Sequence, residues 1–134
     1  VTGGSKGIGR AMVELFAREG GTVVYLSRSE AEDAAGLAAA AAEGGGKIAF
    51  RKCDVAVESE VEAVIEGIVK EFGVPEVVVN NAGVTRDGLV FRMSLEDWEA
   101  VMRTNLTSAF LVSRVCARHM IKKRAGSIIN VSSV

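Results

Sequence analysis

The sequence predicts an α/β domain in which helices cover both faces of a doubly wound parallel sheet. Short apolar runs alternate with segments of helical periodicity, which is typical of strand–helix–strand units. Residues 23–26 and 77–79 are continuously apolar, which indicates strands that are covered on both faces. The chain has 134 residues, of which 49% are hydrophobic, enough for one domain with a core. We expect about five strands, with residues 1–134 forming one unit.

Four strands are predicted over residues 22–26, 47–52, 77–80 and 127–131, and residues 1–2 would end an earlier strand. The first helix is predicted to end near residues 20–21, and one of its faces is marked by the apolar residues Ile8, Met12, Leu15 and Phe16. An Ala-rich helix is expected from about residue 30 to residue 43, where three glycines stop it.

The third helix shows the clearest amphipathic pattern in the chain. Its apolar positions repeat with the period of an α-helix and comprise Val61, Val64, Ile65, Ile68, Val69 and Phe72. Ser59, with Glu62 three residues later, matches a capping box, so we expect the helix to begin there.

A long helix is predicted from Ser94, an N-cap with Asp97 three residues on, to about residue 124. Its apolar positions form three stripes, so more than one side should be covered. The stripes are Trp98, Met102, Ala109, Val112, Cys116 and Met120; Leu106, Phe110 and Ile121; and Leu111 and Val115. Since the sheet can cover only one side, we expect a homo-oligomer through residues 95–123, as a dimer or, by preference, a tetramer.

Asn105 falls in the middle of the first of these stripes, where an unpaired amide would cost about 1–3 kcal/mol. We therefore expect its side chain to be buried and to have partners, such as a backbone carbonyl exposed by a kink, or ordered water. A purely structural asparagine is the alternative.

Composition and charge exclude several classes of protein. The formal net charge of −1 offers no broad attraction to nucleic acid or to an anionic membrane. No apolar run approaches the roughly 20 residues that span a bilayer, and residues 1–4 lack the pattern of a signal peptide. Cys53 and Cys116 have neither metal-binding nor C-x-x-C spacing, so we expect reduced core thiols in a cytoplasmic protein.

A glycine-rich loop, residues 2–9, stands between the end of the first strand and the first helix. Gly3, Gly7 and Gly9 permit a tight turn and a close approach of the backbone, although their spacing is not G-x-G-x-x-G. The N-terminus of the following helix offers unpaired N–H groups and a partial positive charge to a pyrophosphate. The loop therefore predicts nucleotide binding, with a glycine turn that binds no ligand as the alternative.

Two cations favour NADP over NAD. The strand over 22–26 should end beside the adenosine ribose, where an NAD-preferring site carries an acidic residue. Here the strand is followed by Arg28, and Lys6 lies in the glycine loop, so charge-assisted hydrogen bonds to a 2′-phosphate are expected. Two solvated surface cations are the alternative, and the nearby Glu30 is the acidic residue that would favour NAD.

Taken in order, the motifs of this sequence resemble the short-chain dehydrogenase/reductase family over essentially the whole chain. The resemblance rests on Thr2-Gly3-x-x-x-Gly7-x-Gly9, Cys53-Asp54-Val55, Asn80-Asn81-Ala82-Gly83, Asn105 and Ile129-Asn130-Val131-Ser132-Ser133. Within the family, residues 85–89 and 91–93 are similar to those of the 3-oxoacyl-[acyl-carrier-protein] reductases. The resemblance implies a Rossmann-type fold and NADP(H) as the cofactor.

The resemblance also implies roles for individual residues. Those that bind the cofactor would be Gly3, Ser5, Gly7, Ile8 and Gly9 at its phosphates, Lys6 and Arg28 at the 2′-phosphate, Asp54 and Val55 at the adenine, and Asn80, Ala82 and Gly83 along its length. Asn105 would kink its helix and hold a water in a proton relay, and Ser133 would hydrogen-bond the substrate carbonyl. For Asn80 and Asn81, a turn at the end of a strand is a second interpretation, compatible with the first.

These 134 residues do not include all the residues that the family's reaction requires. Reduction of a ketone needs an acid, which in the family is a tyrosine with a lysine four residues later. The sole tyrosine, Tyr25, is followed four positions later by Ser29. We therefore expect a piece of a longer chain that lacks the start of the first strand and the substrate-binding C-terminal part, and that is inactive by itself.

For the longer protein, the resemblance implies NADPH-dependent reduction of a 3-oxoacyl-[acyl-carrier-protein] in fatty acid biosynthesis, in the cytoplasm, or in a plastid or the mitochondrial matrix of a eukaryote. The alternatives are another short-chain reductase, acting on an acyl-CoA, a sugar or a polyol, and a non-catalytic NADP-binding protein. Arg124 would dock the acidic carrier protein; a solvated helix terminus, with Lys122 and Lys123, is the alternative.

Overall fold

The structure, a computed structural model, describes residues 1–133, so Val134, the last residue of the predicted unit 1–134, lies outside the described residues. Strands β1 to β4 are Thr22–Ser27, Lys47–Lys52, Val77–Asn80 and Ser127–Asn130. Helices α1 to α5 are Gly7–Arg18, Ala34–Gly44, Glu58–Phe72, Leu95–Val101 and Ser108–Lys123. A 3₁₀ turn, Val90–Arg92, precedes α4, and a π-helical segment, Met102–Thr107, joins α4 to α5. None of the described helices is both long and apolar enough to cross a membrane.

Residues 1–3 join two pairs of parallel strands into one sheet. β1 pairs with β2, and β3 pairs with β4, each in parallel. The N–H of Gly3 donates to the carbonyl of Leu26 in β1 (2.8 Å), while the N–H of Thr2 donates to the carbonyl of Val79 in β3 (2.9 Å). The strand order is therefore β2, β1, residues 1–3, β3, β4, and the predicted parallel sheet is confirmed.

This order creates a topological switch point between residues 1–3 and β3. The chain passes through α1 to β1 on one side of residues 1–3, and later returns through α3 to β3 on the other side. In open α/β sheets, ligands bind where the strand order reverses, outside the carboxyl ends of the strands. The expected crevice therefore lies at the carboxyl ends of residues 1–3 and β3, next to the N-terminus of α1.

Two apolar clusters, one on each face of the sheet, confirm that helices cover both faces. The cluster under α3 and α5 includes Leu26, Cys53, Val61, Ile65, Val112 and Met120. The cluster under α1 and α2 includes Val13, Ala17, Tyr25, Leu37 and Ala41. Tyr25 and Leu26 are neighbours in β1 and enter opposite clusters, as the alternation of side chains along a strand requires.

The first helix ends at Arg18, close to the predicted end, but its apolar stripe does not face the sheet. α1 instead buries Gly9, Val13 and Ala17, while Ile8 and Leu15 of the predicted stripe are 69% and 59% exposed. The small residues at positions 9 and 17 let the helix lie close against the strands, and the larger apolar side chains point outward. A pattern based on hydrophobicity alone misses this close approach.

The third helix begins before the predicted N-cap. α3 starts at Glu58, so Ser59 lies inside its first turn and does not cap it. The cause is a turn just before the helix, in which the N–H of Val57 donates to the carbonyl of Asp54 (3.0 Å). The apolar stripe itself is confirmed, since its central residues are buried.

The Ala-rich helix α2 begins at Ala34 rather than near residue 30. The N–H of Ala31 donates to the hydroxyl of Tyr25 (3.2 Å), which holds the preceding loop against β1. Asp33 then caps the helix by accepting from the N–H of Gly36 (2.8 Å). Because of these contacts, α2 begins about one helical turn later in the sequence than predicted.

The long predicted helix is not continuous. Ser94 is its N-cap, as predicted, and its Oγ accepts from the N–H of Asp97 (3.1 Å). The π-helical segment then interrupts it before α5. α5 buries Leu111, Val112, Val115, Cys116 and Met120, whereas Trp98, Leu106, Phe110 and Ile121 are exposed. Self-association stays a prediction, and these four exposed apolar side chains are among those available for it.

Cys53 and Cys116 are buried, free thiols within the described residues, as expected for reduced core cysteines. Burial raises the pKa of each thiol from 9.0 to about 11, and the carboxylates of Glu60 and Asp54 contribute at Cys53. A thiol with a raised pKa in the folded state stabilises the fold below its unfolded pKa. That stabilisation is lost as the pH rises through the folded pKa.

We therefore expect the free energy of unfolding to fall as the pH rises from 9 to 11. Urea denaturation at several pH values across this interval measures the effect. The control is the double variant Cys53→Ala/Cys116→Ala, which should lose less stability over the same pH interval because it lacks both thiols. An equal loss in both proteins would contradict the prediction.

Candidate functional site

The glycine loop closes tightly at the carboxyl end of the N-terminal strand. A Cβ at Gly9 would lie 2.2 Å from the carbonyl oxygen of Gly3, so only glycine allows α1 to start this close to the loop. Gly7 has a φ of 56°, in the left-handed region, and a Cβ there would face open space among the described residues. The loop therefore presents the first turn of α1 to the crevice and leaves room on its outer side.

The N-terminus of α1 has the donor set of an anion-binding site. Its N-cap, Lys6, is extended (φ −154°, ψ 170°), and within residues 1–133 no side chain caps the helix. The first turn of α1, which lies wholly within the described residues, also contains no acidic residue. Unpaired N–H groups and the positive end of a helix dipole are the groups that bind a pyrophosphate in nucleotide-binding proteins.

A clamp between Thr2 and Asn81 joins the glycine loop to the end of β3. The buried hydroxyl of Thr2, a residue that is 4% exposed, accepts from the N–H groups of Asn81 and Ala82, both at 3.0 Å. In return, Nδ2 of Asn81 donates to the carbonyl of Thr2 (3.0 Å). These three hydrogen bonds fix the two sides of the crevice relative to each other.

This clamp was not predicted from the sequence. The sequence features that correspond to the clamp are a threonine at the end of one buried strand and a pair of asparagines at the end of another. The carboxyl ends of neighbouring parallel strands meet at one edge of a sheet, so the two sets of polar groups lie together. The signal becomes usable only once the strand order is known.

The side chain of Asn80 does not point into the crevice, and cofactor binding by this residue stays a prediction. Its side chain is buried on the α5 side of the sheet, where Nδ2 donates to Oγ of Ser113 (3.0 Å) and to Oδ1 of Asn130 (2.8 Å). The alternation of side chains along β3 sends Asn80 to the face opposite Val79. Asn80 therefore supports the crevice from behind, while Ala82 and Gly83 follow at its edge.

Asn105 has the expected partners but not the expected burial. It lies in the π-helical segment, is exposed, and forms two hydrogen bonds with the backbone of Val84. Its Oδ1 accepts from the N–H of Val84 (2.8 Å), and its Nδ2 donates to the carbonyl of Val84 (2.9 Å). The π-helical segment interrupts the α-helix at this residue, and the kink that the resemblance implies stays a prediction.

The two predicted cations lie on neighbouring chain segments. Gly3 bonds to Leu26 at the end of β1, so the loop that carries Lys6 starts beside the strand that leads to Arg28. Both side chains are exposed. The Oγ of Ser27 donates to the carbonyl of Ser29 and closes a tight turn around Arg28.

The far end of the same loop is tied to α1. Arg10 of α1 donates to Asp33 (2.8 Å), the N-cap of α2. The N–H of Gly36, followed by the guanidinium of Arg10, holds the pKa of Asp33 below its usual value. Asp33 therefore stays ionised and is engaged with these partners. Glu30, the acidic residue weighed against NADP, is exposed in this loop.

Asp54 and Val55 lie in a turn beside the end of β1. The N–H of Cys53 donates to the carbonyl of Ser27 (2.9 Å), which sets the start of the turn. Oδ1 of Asp54 accepts from the N–H of Ala56 (3.0 Å), and Val55 is buried beneath. The turn is thus ordered, as an adenine-binding turn must be.

The two serines near the end of the chain reach the same edge of the sheet. The N–H of Val131 donates to the carbonyl of Asn80 (2.9 Å), and Ser132 and Ser133 follow. Arg124 lies at the opposite edge, because it ends α5 where the chain turns back into β4. It is exposed and has a φ of 54°.

A glycine loop before an uncapped helix, at the switch point of a parallel sheet, defines the class of Rossmann-type nucleotide-binding domains. The family model described as short chain dehydrogenase matches residues 1–134, which is the whole chain. The protein belongs to the short chain dehydrogenase family. The resemblance predicted from the sequence motifs is thereby confirmed.

Several curated relatives are named as 3-oxoacyl-[acyl-carrier-protein] reductases. Those of Vibrio cholerae and Thermotoga maritima are 44% and 42% identical over 134 residues, and that of Synechocystis sp. is 44% identical over 136 residues. Each match covers 100% of this chain and 53% or 54% of the relative. The chain therefore spans about half the length of these relatives.

Solved structures show the same fold. A metagenomic short-chain oxidoreductase in complex with NADP has a TM-score of 0.91 at 32% identity, covering 100% of this chain and 61% of that one. A double mutant of a Serratia marcescens short-chain dehydrogenase/reductase has a TM-score of 0.80 at 35% identity, covering 88% and 48%. The predicted Rossmann-type architecture is confirmed.

Proposed function

We propose that this chain binds NADP(H) and that the whole protein is an NADPH-dependent reductase of a 3-oxoacyl-[acyl-carrier-protein]. One observation carries the proposal: the uncapped N-terminus of α1 opens into the crevice with the exposed cations Lys6 and Arg28 beside it. The NADP in the metagenomic oxidoreductase and the names of the curated relatives support it. Residues 1–134 would form one cofactor-binding domain.

Each part of the cofactor meets a different group of residues. The pyrophosphate is bound by the N-terminal loop, comprising Gly3, Ser5, Gly7, Ile8 and Gly9. Lys6 and Arg28 bind the 2′-phosphate, since two cations and a phosphate form charge-assisted hydrogen bonds. Asp54 accepts a hydrogen bond from the adenine amino group, beside Val55. Ala82 and Gly83 form the wall of the crevice, held by the clamp between Thr2 and Asn81.

When bound, the cofactor supplies a hydride to the carbonyl carbon of the substrate. Ser133 donates its hydroxyl hydrogen to the carbonyl oxygen and so orients and polarises the substrate. Asn105 forms two hydrogen bonds with the backbone of Val84. It thereby helps to position the water of the proton relay. The tyrosine and lysine that the family uses as proton donor do not occur among residues 1–134 as a Tyr-x-x-x-Lys motif.

Replacement of Arg28 by alanine tests the choice of cofactor. We expect the Kd for NADPH to rise roughly tenfold or more, because a charge-assisted bond to the 2′-phosphate is lost. The Kd for NADH should change little. Titration of the whole protein with each cofactor, followed by fluorescence, measures both values. Arg118→Ala, an exposed arginine on α5, is the control, and an equal loss for the two cofactors would refute the assignment.

We propose that Arg124 contributes to docking of the acidic carrier protein. It lies with Lys122 and Lys123 in an exposed basic cluster at the end of α5, and such a cluster attracts an acidic partner. Charge reversal in Arg124→Glu should lower kcat/KM about tenfold for the carrier-bound substrate. Turnover of the corresponding acyl-CoA should be unaffected. If Arg124→Glu leaves kcat/KM unchanged for both the carrier-bound substrate and the acyl-CoA, the proposal is wrong.

A further inference from the structure

We propose that Glu60 is a positioning residue that sets the orientation of Asp54 and thereby the recognition of adenine. The inference rests on the proposed cofactor function and concerns a residue that the family motifs do not include. Glu60 is the third residue of α3, six positions after Asp54. One of its carboxylate oxygens, Oε2, accepts from the backbone N–H of Asp54 at 2.8 Å.

The bond to Glu60 completes the fixation of Asp54. The carbonyl of Asp54 accepts from the N–H of Val57, and its Oδ1 accepts from the N–H of Ala56, both at 3.0 Å. Within residues 1–133, Oδ2 is left as the carboxylate oxygen of Asp54 without a hydrogen bond. The turn therefore leaves one defined acceptor at the position where the adenine amino group would donate.

Glu60 is itself held by a rigid neighbour. Val61, the next residue of α3, is completely buried, so the first turn of the helix is anchored to the core. The carboxylates of Glu60 and Asp54 both act on the thiol of Cys53 at the end of β2, where they raise its pKa in addition to burial.

We expect the hydrogen bond between Glu60 and the N–H of Asp54 to affect the orientation of Asp54 more than the stability of the fold. Glu60 is exposed and Asp54 is half-buried, so water can replace the carboxylate at the Asp54 N–H when Glu60 is removed. The fold should survive this change, but the turn would no longer hold Oδ2 in one direction. We therefore expect the loss to fall on the recognition of adenine.

The experiment compares two cofactors in the whole protein. One is NADPH, and the other is reduced nicotinamide hypoxanthine dinucleotide phosphate, in which a carbonyl replaces the 6-amino group of adenine. A carboxylate acceptor favours the amino group and repels the carbonyl, so the wild type should bind NADPH about tenfold more tightly. In Glu60→Ala this ratio of Kd values should fall to about threefold or less.

Two further variants separate positioning from structure. Glu60→Gln keeps an oxygen acceptor and should retain most of the preference, whereas Glu58→Ala removes a first-turn charge that does not contact Asp54 and should retain all of it. A Glu60→Ala protein with the wild-type ratio, or with equal losses for both cofactors, would overturn the inference. A wild type that binds NADPH without preferring it over the analogue would overturn it as well. A wild type that binds neither cofactor would instead overturn the proposed function on which it rests.

Discussion

Replacing Gly9 with alanine is expected to destabilise the domain by about 3 kcal/mol or more and to lower the affinity for NADPH at least tenfold. The added Cβ would lie 2.2 Å from the carbonyl oxygen of Gly3 and 2.4 Å from Nδ2 of Asn81. A backbone oxygen cannot rotate aside as the end of a flexible side chain can, so the first turn of α1 must move away from the loop. Overpacking that shifts the backbone costs about 1–3 kcal/mol and sometimes more.

Gly67 offers a matched control in α3. A Cβ at Gly67 would face open space among the described residues. Gly67 is exposed and lies well inside the helix, away from both ends. Gly67→Ala should therefore stabilise the protein by about 0.5–1 kcal/mol. Urea denaturation and NADPH titration of both variants measure the two effects. A Gly9→Ala protein that matches the wild type in stability and affinity would show that the loop does not need this close approach.

Replacing Thr2 with valine is expected to destabilise the domain by about 2–5 kcal/mol. Valine has nearly the shape of threonine but lacks the oxygen that accepts from the N–H groups of Asn81 and Ala82. Each donor that loses its partner at a buried site costs about 1–3 kcal/mol. The turn after β3 would also lose its fixed distance from the glycine loop, so the affinity for NADPH should fall with the stability.

Thr2→Ser separates the hydrogen bonds from the packing. Serine keeps the oxygen and loses one methyl group, so we expect a loss of about 1 kcal/mol and near-normal affinity. The measurement is again urea denaturation combined with NADPH titration. Equal losses in the valine and serine variants would mean that the methyl group, and not the clamp, is what position 2 contributes.

The strands were the most predictable part of the fold. β2 and β3 match their predicted bounds, and β1 and β4 differ by one residue. These runs are short, apolar and bounded by glycine or polar residues, so local sequence and burial favour the same structure. The helix faces were less predictable. α1 buries Gly9 and Ala17 against the sheet, and hydropathy gives such small residues little weight.

Burial was misjudged at Asn105 for a related reason. The predicted stripe assumed a continuous α-helix, in which Asn105 lies between buried residues. The π-helical segment adds residues to the turn and rotates this side chain toward Val84, which lies in a different segment of the chain. A helical wheel based on one period cannot show such a change.

The local part of the candidate site is visible in the sequence. The glycine loop, the strand before it and the cations Lys6 and Arg28 can be identified because they depend on chain neighbours and on the general geometry of parallel strands. The clamp between Thr2 and Asn81 and the bond from Asp54 to Glu60 cannot be identified in this way. The first joins residues 79 positions apart, and the second requires the exact start of α3.

The α/β class, the parallel strands and the glycine loop could be read from the sequence, because they follow from periodicity, glycine positions and propensity within short segments. The direction of Asn80, the exposure of Asn105 and the pairing of Thr2 with Asn81 depend on the tertiary structure. A hydrogen bond forms only where two groups meet at about 3 Å in the right orientation. For residues distant in the chain, that meeting depends on strand order and helix position, which local patterns do not contain.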